Sequence, residues 1–138
     1  MNTNLILGRA SIEAAADIAK QLFVGLDGDV CGAGKKALGV SELDAAEGEM
    51  ATVIVSKIAL VTSGAAITAG DALVSDASGK AIPATDLSAT TPAGAVPVVS
   101  SGAQPVMTIA GSLPPEVING YALDAATGAD KLVRVLLV

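Results

Sequence analysis

Leu43-Asp44-Ala45-Ala46-Glu47-Gly48, with Val53 and Val55 beyond it, returns eighty residues later as Leu123-Asp124-Ala125-Ala126-Thr127-Gly128, with Val133 and Val135 beyond it. The shared letters hold one carboxylate and no nucleophile, so a repeated catalytic site does not explain them. An Asp in a turn accepts hydrogen bonds from nearby backbone amides, and a Gly adopts the positive φ that lets a chain reverse into a strand. Asp44, Gly48, Asp124 and Gly128 therefore read as structural corner residues, each corner feeding a valine-bearing strand.

Outward from the first corner, Met50 to Thr62 is a β-branched and apolar run whose only charge is Lys57. It reads as a strand covered on both faces over much of its length. Upstream, Leu38-Gly39-Val40 and Lys20 to Val24 read as strands, separated by a loop from Gly25 to Gly34 with four glycines and two aspartates. Downstream, Ile67 to Val74 is a turn feeding a strand, with Gly70 and Asp71 as its turn residues. Asp76-Ala77-Ser78-Gly79-Lys80 makes a further turn through Asp76 and Gly79, and Ala81-Ile82 is its return. Leu132 to Val138 closes as an apolar strand, expected to dock in a sheet or a subunit contact. Turn signals at this density predict a mainly β fold, a small barrel or sandwich of short strands.

The 138 residues suffice for one domain. Residues 1–16 read as an N-terminal arm, extended or as a short helix capped by Ser11, and 17–138 as the β-rich core. A Pro-rich insertion at 85–119 interrupts that core. Its central stretch from Leu87 to Pro115 carries no charge and five of the six prolines. Val96, Val98, Val106 and Ile109 make it too apolar for a solvated linker, so it is expected to lie on another protein surface or over its own barrel.

Apolar residues make up 51% of the chain, yet Phe23 and Tyr121 are the only aromatics. A domain without these large burial units, roughly 150–250 Å² each, gains from association with copies of itself. A net charge of −6 argues against a nucleic-acid partner. No apolar run approaches the ~20 residues of a membrane span, and Leu5-Ile6-Leu7 is too short for a signal-peptide core, so a soluble, unprocessed chain is expected. The single Cys31 has no intramolecular partner and reads as a small buried hydrophobe.

The chain has no histidine, which removes Ser-His-Asp and Cys-His catalysis and His-bearing zinc sites. No serine stands three residues before any lysine, so a Ser-Lys dyad is absent too. Gly34-Lys35 fails as a phosphate loop, with Asp29 where glycine is needed and Lys36 where a hydroxyl is needed. Asp27, Asp29 and Gly32 imitate the start of a calcium loop, but its bidentate place holds Leu38. The carboxylate pairs Asp71/Asp76 and Glu47/Glu49 lack an aromatic platform for sugar chemistry and read as solvated turn residues. No catalytic residue, cofactor or metal is expected.

The succession Gly64-Ala65-Ala66-Ile67-Thr68-Ala69-Gly70-Asp71-Ala72-Leu73, then Asp76-Ala77-Ser78-Gly79-Lys80-Ala81, then Gly120-Tyr121-Ala122-Leu123-Asp124-Ala125-Ala126-Thr127-Gly128 and the closing strand resembles the capsid cement, or head decoration, proteins of tailed bacteriophages. The resemblance covers roughly 20–84 and 120–138, with 85–119 standing apart. It implies a non-enzymatic protein on the outer surface of an HK97-type shell, assembled in the bacterial host cytoplasm, that bridges capsid subunits. The partners implied are the major capsid protein and further copies of the chain, more naturally a trimer than a dimer, with neither nucleic acid nor membrane. Leu5, Ile6 and Leu7, in an arm able to add a strand to a foreign sheet, and Val96, Val98, Val106 and Ile109 are the expected contact residues. The alternative is a small β-rich binding module for carbohydrate or host-surface adhesion, since Ile67 to Leu73 also resembles turns of such domains. Lys80 after Gly79 does not match the lysine presentation of carrier domains.

Overall fold

The computed structural model describes residues 5–85 and 116–138, with residues 5–7 described by backbone alone. Eight strands follow one another: β1 (Leu5–Glu13), β2 (Phe23–Gly25), β3 (Ala37–Ser41), β4 (Met50–Thr62), β5 (Ala72–Ser75), β6 (Ala81–Pro83), β7 (Gly120–Ala122) and β8 (Leu132–Leu137). The described residues hold no helix, and residues 5–13, within the stretch that sequence left open between arm and helix, are extended. All strand pairs are antiparallel, in the order β2-β3-β4-β8-β7-β5-β6, with β1 on the other side of β4. The sheet curls almost closed, because Ala81 bridges back to Ser63 at the end of β4 and the Phe23 amide donates to the Gly79 carbonyl at 2.7 Å. The fold is therefore a small, nearly closed β barrel.

β2 starts later than Lys20 because Gln21 is left-handed, at φ 63°, and turns the chain immediately before it. β7, missed as a separate strand, is a three-residue rung between β5 and β8.

The barrel is a tandem repeat, deeper than the repeated letters indicate. Ile18 and Ala45 exchange both backbone hydrogen bonds, and so do Ile67 and Ala126. Ala14 binds Glu49 and Gly48 as Ser63 binds Lys131 and Asp130. Gln21 and Leu22 meet Ser41 as Gly70 and Asp71 meet Ala122, and Glu42 meets Thr52 as Leu123 meets Arg134. The first repeat spans residues 5–56 and the second 58–85 with 116–138. β4 serves both, ending one and beginning the other.

The joint inside β4 is Lys57, at φ 69°. A left-handed side-chain-bearing residue costs roughly 1–2 kcal/mol, and here it reverses the strand's alternation. Before it, Val53 faces a smaller core with Ala14, Ile18, Val24, Ala45 and Ala51, while Ile54 faces the larger one. After it, Ala59 and Val61 face the larger core, with Phe23, Val40, Leu73, Val133 and Val135. One strand thereby lines two cores whose centres lie on opposite sides of it.

Candidate functional site

The sequence-derived turn residues are placed by four similar corners. Gly48 and Gly70 are left-handed, at φ 86° and 94°, each three residues after its bridged Ala45 or Ile67. Gly128 is not left-handed; Asp130, at φ 62°, takes that place. The matching letters are out of structural register, so that Ala45 corresponds to Ala126 instead of Ala125, and beyond that pair the second corner is longer, so that Glu49 corresponds to Lys131.

The aspartates diverge accordingly. Asp44 accepts the Lys20 amide at 2.8 Å, while Asp17, which sequence reasoning passes over, accepts the Glu47 amide at 2.9 Å. The two corners of the first repeat thus clasp each other reciprocally. In the second repeat the hydroxyl of Ser63 performs this work, donating to the Gly128 carbonyl at 2.7 Å and accepting the Lys131 amide at 3.0 Å. Asp71 accepts the Thr68 amide at 2.8 Å, and Asp76 accepts those of Ser78 and Lys80 at 2.8 and 2.9 Å. These two carboxylates each organise their own turn and form no catalytic pair. Gly79, at φ 77°, lies where any side chain would run into Val30 and the Phe23 carbonyl.

Asp124 turns to Arg134 instead, whose Nε and Nη2 donate to its two oxygens, each at 2.8 Å. This charge-assisted pair, chiefly through the side-chain hydrogen bonds, lowers the Asp124 pKa to about 2. A carboxylate depressed in the folded state contributes stability above its unfolded pKa and loses it as pH falls through the folded value. Melting curves of the wild type and Asp124→Asn are therefore expected to differ at pH 5 and to converge as pH falls from about 4 to about 2. A gap that stays constant down to pH 2 would show that the pair contributes nothing.

No chemistry-bearing cluster emerges. Among the described residues, no group of three or more His, Cys, Asp and Glu could hold a metal ion. Asp27 and Asp29 cap their own turn through the amides of Asp29 and Val30. The Cys31 thiol is buried, which raises its pKa and keeps it from being a reactive thiolate. A hollow beside it, lined by Leu26, Asp27, Lys35 and Lys36 among others, contains no aromatic ring to stack on a sugar.

Two surfaces remain. One is the outer edge of β1, against which no described strand pairs. Leu5, Ile6 and Leu7 are on this strand, with Leu5 opposite Ile58 and Ile6 opposite Lys57. Val96, Val98, Val106 and Ile109 lie outside the described residues. The other surface is an apolar row on the outside of the barrel, Ala72, Tyr121 and Leu136 in direct cross-strand register, with Ile58 next in line. Tyr121 is 43% exposed and Leu136 38%. Sequence reasoning missed this row, although Leu132-Val133-Arg134-Val135-Leu136 signals a strand that is apolar on both faces.

Residues 7–137 match the family model of phage cement proteins. Among solved structures, the chain is similar to the N-terminal base of head fiber gp8.5 of bacteriophage phi29, with 18% identity, 95% of this chain and 93% of that chain covered, and a TM-score of 0.61. At that identity the likeness concerns the fold. No curated protein sequence matches the chain.

Proposed function

This chain belongs to the phage cement protein family, and from that premise we propose that it reinforces the phage head by bridging neighbouring capsid subunits from outside. A capsid-associated structural protein needs no turnover chemistry, in keeping with carboxylates committed to turns and ion pairs. The proposed partners are the major capsid protein and further copies of the chain, a trimer fitting the junctions of a hexagonal lattice better than a dimer. Assembly on the shell takes place in the cytoplasm of the bacterial host. The contacts on each copy are individually weak, and repetition around the shell multiplies them.

The open edge of β1 carries this reading. An edge strand presents unpaired amides and carbonyls to any strand that comes alongside, and strand addition supplies main-chain hydrogen bonds with little demand on side chains. Leu5 to Leu7 supply the apolar anchors on that strand. The segment with Val96, Val98, Val106 and Ile109 is proposed as a second contact, on composition alone.

Deleting residues 1–10 removes most of β1 and leaves β2 to β8 intact. The truncated protein is expected to keep its β circular-dichroism spectrum while its capsid occupancy at limiting concentration falls about tenfold, the effect of roughly 1.4 kcal/mol per site. Equal occupancy by the full-length and truncated proteins would reject attachment through β1.

A further inference from the structure

The two repeats finish their packing differently. In the first, Phe23, Val40 and Ile54 stand in cross-strand register and are buried against the second repeat, in the core that contains Leu73, Val133 and Val135. The same three places in the second repeat are Ala72, Tyr121 and Leu136, the outer row, where Ala72 is half-buried and Tyr121 and Leu136 are exposed. Nothing among the described residues covers it.

The other side of the contact is equally unbalanced. Leu73, Val133 and Val135, which receive the first repeat's row, correspond to Val24, Ala51 and Val53 of the smaller core. That core receives no row from another repeat. At its margin Ile12, Leu38 and Val55 are only partly buried.

The chain thus makes one complete repeat-to-repeat contact and displays one unused half of it on each repeat. We propose that copies of this chain associate head to tail, with the Tyr121 and Leu136 face of one copy seated on the Ile12, Leu38 and Val55 face of the next. The occupant is a second copy because the two exposed halves correspond to the two sides of a contact that the fold already makes. Charge allows the approach, since Asp124 and Arg134 beside the row neutralise each other on an otherwise acidic protein. Such a contact is heterologous: it joins unlike faces, closing into a ring where the rotation permits and running on as a filament where it does not.

The inference specifies the self-contact within the function proposed above and rests on that reading for its setting. The experiment uses the isolated full chain, so loss of capsid binding and loss of this contact are separable. Light scattering over a concentration series is expected to show self-association, weakened at least tenfold by Leu136→Asp and, separately, by Leu38→Asp, with circular dichroism verifying that both variants are folded. Each variant retains one intact face, so an equimolar mixture is expected to form a heterodimer that grows no further. Should Leu38→Asp fail to fold, a photoreactive benzoylphenylalanine in place of Tyr121 is expected to crosslink to the segment around Leu38 or Val55 of a second copy. A chain that stays monomeric, a mixture with no heterodimer, or crosslinks from position 121 to the Tyr121 and Leu136 face of another copy would each overturn the proposal.

Discussion

Phe23→Ala is expected to destabilise the protein by about 3–5 kcal/mol, the largest effect of any single substitution considered. Phe23 is the chain's only phenylalanine and is fully buried. It belongs to the first repeat but packs in the core dominated by the second, so its ring joins the two. Its backbone is fixed as well, the amide donating to Gly79 and the carbonyl accepting from Cys31 at 2.9 Å. With both peptide groups held, the site cannot collapse around the missing ring, and most of the cavity persists. Against a total stability of about 5–15 kcal/mol, such a loss brings the variant near the edge of folding. The midpoint of thermal unfolding is expected to fall by about 10–20 °C, and urea titration should give the same ranking. A loss below about 1 kcal/mol would mean that the ring is not the link between the repeats that its burial indicates.

The second large effect is expected from Gly39→Ala and Gly120→Ala. These glycines occupy the same place in the two repeats, and in each a β-carbon would meet the opposing strand. At Gly39 it would run into the Ile54 carbonyl, and at Gly120 it would come within 2.7 Å of the Leu136 carbonyl. Neither glycine has a positive φ, so the requirement is space and not backbone freedom. Because the obstacle is main chain, relief requires moving a strand, and each substitution should cost about 1–3 kcal/mol. Comparable losses at both sites, measured by chemical denaturation, would support the equivalence of the repeats. A neutral effect at either site would count against it.

Much of the fold was legible in sequence because its corners are made of residues with few alternatives. β4 spans the residues that the apolar run marked, and the closing strand starts at Leu132 as read. The repeated phrase was a true sign of internal repetition, but an imperfect guide to it. Asp44 and Asp124 share a letter pattern, yet one accepts an amide from a distant corner and the other an arginine. Partners separated by many residues leave no local trace, and the letters repeat out of step with the fold from the start of the corner, where Glu42 and not Leu43 corresponds to Leu123. The reversal at Lys57 was equally hidden, since the residues before it are apolar on both faces and display no alternation to interrupt. Tyr121 and Leu136 escaped notice because their exposure follows from which repeat has a neighbour.

The sharing of β4 between the repeats has a mechanical corollary. Repeats joined by loops can peel away one at a time, each keeping its own stability. Here one strand serves both: its residues 50–58 pair with β1 and its residues 58–62 with β8, so the two ladders meet at Ile58. A chain built this way has no loop at which one repeat can swing free of the other: a pull on either passes along the backbone of β4.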